Sequence, residues 1–64
     1  MENFSRNDYL ASIEESASYI SAEIGPEVVR SVYQRFGVNS LDEIETADLP
    51  EVFSEIYAIE ADLR

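Results

Sequence analysis

The side chains able to do chemistry are unevenly supplied in this sequence. Fourteen aspartates and glutamates stand against four arginines, with no lysine, histidine or cysteine. A serine nucleophile needs a partner base that titrates near neutral pH, and neither histidine nor lysine is present to act as one. The eight serines therefore read as helix caps and polar surface. Without cysteine there is no thiol catalysis, thiolate metal site or disulfide. Two carboxylates can cleave a glycosidic bond, but they need a cleft, and a 64-residue chain has little interior from which to build one. Gly25 and Gly37 stand too far apart to form a phosphate-cradling loop. The acidic run Asp42, Glu43, Glu45 and Asp48 offers oxygen ligands of the kind calcium and magnesium take. It lacks the central glycine and closing glutamate of an EF-hand, and two of the four are better explained as caps. The expectation is a chain that is not an enzyme and uses no cofactor or metal.

What these carboxylates can do is bind. On a helical wheel of about 100° per residue, Asp48, Glu51, Glu55 and Asp62 fall within about 60° of one another. Successive turns of a helix space such residues by about 5–6 Å at the backbone, close to the distance between neighbouring phosphates along a nucleic-acid strand. Such a stripe fits a basic surface, and these four are the candidate partner-binding residues. Tyr19 is a fifth, placed opposite Leu10 on the outward side of its helix with Asp8, Ser12 and Glu15. A tyrosine ringed by acids suits an arginine-rich partner. Tyr57 also turns away from its helix's apolar stripe, with Ser54, Ala58 and Ala61 around it. That small-residue flank would let another helix approach, which makes the four a candidate self-association face. Glu60 is the exception, since it falls inside the apolar stripe between Phe53 and Ile56. It is expected to snorkel at the end of the bundle or to pair with Arg30 or Arg35.

The elements that position these groups are helical. Ser5 and Asp8 make a capping box with aspartate in place of glutamate. Leu10, Ile13, Ala17, Ile20 and Ile24 then recur at intervals of three and four, the period of one helix face. Gly25 supplies a left-handed ending, and Pro26 suits the first turn of the next helix. In that second helix Val28, Val29, Val32 and Phe36 point inward with Tyr33 at the border. Gly37 stops it, with Val38 folding back in a Schellman ending. Ser40 to Glu43 reads as a capping box for a short element in which Leu41 and Ile44 face inward. Asp48 to Glu51 reads as another, with Pro50 in the first turn. Leu49, Val52, Ile56, Ile59 and Leu63, with Phe53 beside them, form the stripe of the last helix. The fold expected is all-α: one domain over 1–64, a compact bundle of three main helices plus a short helical turn before the last. The helices are expected at about 5–24, 26–36, 40–45 and 49–63.

A domain of this size buries only roughly 60% of its unfolded surface, so its stability is marginal without a supplement. An efficient helical core or self-association, as a homodimer, is the remedy left once disulfides are gone. No apolar stretch approaches the about 20 residues that span a bilayer. Met1-Glu2-Asn3-Phe4 lacks the character of a signal peptide. A complete cytoplasmic protein is the expectation. A net charge of −10 repels nucleic acid and anionic membrane surfaces and attracts basic proteins. The partner expected is accordingly a basic protein, itself a nucleic-acid binder, with no direct contact to nucleic acid or membrane.

The stretch GPEVVRSVYQRFGVNSLDEIETADLPEVFSEIYAIEADL, from Gly25 to Leu63, resembles short acidic proteins of plasmids, phages and conjugative elements of Gram-positive bacteria. The likeness rests on the helix–glycine–short turn–helix layout and the closing IYAIEADL. It implies an accessory function of a mobile element, including inhibition of a host defence of the anti-CRISPR type. Two functions follow as expectations. The first is a protein-binding inhibitor that occupies a basic nucleic-acid-binding surface. The second is a small oligomerisation or adaptor module, such as an antitoxin or accessory subunit, working through apolar helix faces.

Overall fold

Helix α1, Arg6–Ile24, begins at the Ser5 cap, where the hydroxyl accepts the Asp8 N–H and the Asp8 carboxylate accepts the Ser5 N–H. Both donors would otherwise be unsatisfied at a helix start. The computed structural model describes residues 5–64. The leader-peptide reading of Met1 to Phe4 lies outside the described residues. Among those described there are three α-helices and two single 3-10 turns, with no strand, and together they form a small all-α bundle.

Helix α1 ends at Gly25, whose φ of 104° and ψ of 156° lie well outside the left-handed helical basin expected from the sequence. It is an extended conformation with positive φ, open essentially to glycine alone. One residue thus turns the chain, and α2, Pro26–Arg35, starts at once on its proline. The Schellman ending forms as the sequence indicates: Gly37 N–H donates to Gln34 C=O and Val38 N–H to Tyr33 C=O. Tyr33 is buried, whereas Val28 and Phe36 are only half-buried, reversing the expected order of that face.

Helix α2 has 10 residues and α1 has 19, about 15 Å against about 28 Å of axis. The second helix therefore covers only part of the first, and the segment 36–48 closes the rest. Within it the expected single short element is replaced by two 3-10 turns, Leu41–Glu43 and Thr46–Asp48. Leu41 and Ile44 are buried, as their apolar character demands, and each such burial stabilises by about 1.5–3 kcal/mol. Neither expected capping box forms here. Ser40 caps nothing with its side chain, and the Glu43 carboxylate accepts the Asn39 N–H instead. Asp48 is already helical because the second 3-10 turn runs directly into α3, Leu49–Leu63, so its side chain does not cap.

Helix α3 lies parallel to α1. Tyr9 meets Phe53, Ser16 meets Glu60 and Tyr19 meets Arg64, pairs offset by 44, 44 and 45 residues. Ile13, Ile20, Val29, Val32, Leu49, Val52 and Ile56 fill the space between the helices. Ile24, expected on the core face, is 49% exposed because α1 runs past the part its neighbours cover.

Candidate functional site

The acidic stripe of α3 is present but not uniform. Glu51 and Asp62 are exposed, while Asp48 and Glu55 are half-buried. Glu55 pairs with Arg35, which the last turn of α2 brings beside it. A cation therefore sits in the middle of the stripe. With 63% of the Arg35 side chain exposed, the pair contributes about 0–1 kcal/mol and its charges remain hydrated.

A denser acidic region lies where α1 and α3 both begin. Arg6, in the first turn of α1, donates to the carbonyls of Asp42 and Ile44 and to the Thr46 hydroxyl, at 2.9–3.0 Å. That clamp holds the 36–48 segment against the start of α1. It gathers Asp8, Asp42, Glu43, Glu45 and Glu51, all exposed, with half-buried Asp48, at one end of the bundle. The guanidinium at the centre of this region is engaged by neutral oxygens, so it forms no ion pair with the acids around it. Among the described residues only Glu55 and Glu60 are in ion pairs. The sequence reading places Asp42, Glu43 and Glu45 on a short helical element and takes two of the acidic run as caps; it misses Arg6, because contacts 36 to 40 residues away leave no local signal.

Glu60 corrects a further expectation. Its side chain neither snorkels nor reaches Arg30 or Arg35. It is buried, with 8% exposure, between α1 and α3. The Ser16 hydroxyl donates to Oε1 at 2.6 Å, and Arg64 donates to Oε2 from Nε at 2.9 Å and from a terminal guanidinium nitrogen. The Ser16 hydrogen bond and then the Arg64 guanidinium hold this carboxyl below the usual carboxylate range, against the opposing effect of burial. The glutamate-to-arginine spacing of four residues was legible in the sequence; the serine from another helix was not.

Tyr19 is likewise not the outward tyrosine expected from the wheel. It is half-buried, and the Arg64 guanidinium lies over its ring, 4.6 Å from the centroid. Cation–π contact and the Glu60 carboxylate together fix that guanidinium. Tyr57 is 56% exposed, with Ser54, Ala58 and Ala61 exposed around it. Its ring stacks on Phe53 at a centroid distance of 5.9 Å, and Phe53 meets Tyr9 edge-on at 6.1 Å. Tyr57 is thus supported from beneath by a line of aromatic rings along the α1–α3 seam. Glu55 lies on the side of α3 that meets Arg35 of α2, with Glu51 and Asp62 exposed, whereas Tyr57 lies against Phe53, which meets Tyr9 of α1. The structure therefore does not join the acidic and aromatic candidates in one site.

No helix of the described residues is long and apolar enough to cross a membrane. Comparison with protein-family models, curated proteins and solved structures found no match to this chain.

Proposed function

We propose that this chain is a protein-binding inhibitor that occupies a basic, nucleic-acid-binding surface of another protein. Its concrete form is an anti-CRISPR or other anti-defence protein of a mobile element, acting in the cytoplasm. The observation that carries this reading is the set of carboxylates left without ion pairs at the start of α3: Asp42, Glu43, Glu45, Asp48 and Glu51. A basic channel that normally holds phosphates gains from such a surface by the same charge complementarity. Arg6 holds the connector that carries Asp42, Glu43 and Glu45 against α1, so these acids lose less ordering entropy on binding than a disordered acidic tail would.

The test is capture of partners from a bacterial host lysate on the immobilised protein, with washes at rising salt. Screening shortens from about 10 Å at 0.1 M to about 3 Å at 1 M, so a charge-driven partner elutes steeply. The expected partner is a basic nucleic-acid enzyme, displaced by its own DNA or RNA. Glu51→Lys combined with Glu45→Lys, both exposed, should lose it while helicity is retained, since each exposed substitution changes stability by only about 0.5 kcal/mol. Retention of the partner by that double variant would overturn the reading. Glu55 is the poorer choice, because a lysine there would face Arg35.

Exposed Tyr57 on its aromatic support favours a second reading, an oligomerisation or adaptor module. In that case the complex, or a homodimer, survives high salt. Tyr57→Ser then disrupts it, while Glu51→Lys does not.

A further inference from the structure

The contact made by Arg64 describes a receptor for an arginine side chain. Its parts come from two helices: Ser16 and Tyr19 from α1, Glu60 from α3, with Tyr57 within electrostatic reach of the guanidinium. Ser16 holds Oε1 of the nine-tenths buried carboxylate, which leaves Oε2 directed at the guanidinium. The Tyr19 ring supplies a face for the planar cation, an arrangement that suits arginine and not the compact ammonium of lysine. These receiving groups are held by the packing of α1 on α3. The occupant, by contrast, follows the last residue of α3, and 61% of its side chain is exposed. A buried, positioned receptor is filled by a peripheral, hydrated guest.

We propose that the Ser16–Tyr19–Glu60 site recognises an arginine of the basic partner, and that Arg64 is its occupant in cis until that arginine displaces it. The inference rests on the basic-partner reading above. It supplies one geometrically specific contact on an otherwise diffuse acidic protein, and at a different place from the carboxylates around the start of α3. Exchange of one guanidinium for another leaves the count of hydrogen bonds and charges unchanged, so the protein needs no rearrangement to accept the partner. Competition in cis lowers the apparent affinity by the fraction of time the receptor is vacant. Removing Arg64 removes that factor.

The probes are N-acetyl-arginine methylamide and N-acetyl-lysine methylamide, which carry equal charge and differ in the planar fork. Each is titrated into wild type, Arg64→Ala and Arg64→Met, with binding followed by NMR at the Tyr19 ring and the Ser16 and Glu60 amides. Both Arg64 variants are expected to bind the arginine probe at least about fivefold more tightly than wild type, and more tightly than the lysine probe. Adding Glu60→Gln or Tyr19→Leu should remove the gain. Equal responses to the two probes, shifts spread over the acidic surface, or no gain over wild type would overturn the proposal. So would loss of helicity in both Arg64 variants, since Arg64 would then be required by the fold. This test uses no protein partner. A failed lysate capture leaves a positive result standing, and a negative result leaves the acidic-surface reading standing.

Discussion

Glu60 and Tyr33 are titratable groups packed into the bundle, and they set opposite limbs of its pH dependence. The folded state holds Glu60 ionised through Ser16 and Arg64, so its pKa lies lower folded than unfolded. Protons then bind the unfolded chain more readily. The stabilisation is fully present above the ordinary glutamate pKa of about 4.3 and is lost as pH falls through the lower folded value. The melting temperature of Glu60→Gln should accordingly fall less than that of wild type on acidification below about pH 4.3. Relief of repulsion among the other carboxylates is common to both proteins and cancels in that comparison. Tyr33 behaves in reverse, because burial, and then the charge of Glu14, raises its phenol pKa. Its contribution is intact below the unfolded value of about 10 and is lost as pH rises through the folded one. Tyr33→Phe should keep its stability as the pH rises past about 10 while wild type loses it, which thermal melts on either side of that pH would show.

At the scale of elements, the weak place is the connector. Two 3-10 turns make few hydrogen bonds of their own, and 3-10 geometry is poor beyond a single turn. What holds them is Leu41 and Ile44 from beneath and Arg6 from the side. Arg6→Met keeps much of the stem but removes three charge-assisted donations. Its expected cost is about 1–3 kcal/mol in denaturant unfolding. Hydrogen exchange should accelerate first at the Ile44 and Asp48 amides, whose acceptors are the Leu41 and Glu45 carbonyls. If exchange instead accelerates evenly along α1, the clamp is not what orders the connector. Because the connector carries Asp42, Glu43 and Glu45, the same variant should also weaken partner capture.

Across the whole molecule, charge works against compactness. A net charge of −10 on so short a chain destabilises the folded state by self-repulsion. With two ion pairs among the described residues, there is little attraction for salt to screen in return. The melting temperature should therefore rise between 0.02 and 0.5 M sodium chloride, the range over which the Debye length falls from tens of Å to a few. A fall would mean that ion pairs hold the bundle together. The same repulsion opposes self-association through any face but an uncharged one, and the seam of Tyr9, Phe53 and Tyr57 is such a face.

Much of the bundle was legible in the sequence because helices are specified locally. The period of the apolar residues, the Ser5–Asp8 box and the Gly37–Val38 ending act over three to six residues, and each appears in the structure where the sequence places it. The sequence by itself also determined the charge and the residue types available for chemistry. Only the tertiary structure decided which side chains meet. It set α1 parallel to α3, joined Ser16, Tyr19, Glu60 and Arg64 into one contact, and gave Arg35 to Glu55. It also turned the apparent caps at Ser40 and Asp48 into other uses of the same groups. The physical reason is range. A helix face follows from neighbours one turn away, whereas the partner of a charge depends on how faces from distant segments are brought together by burial of the apolar core.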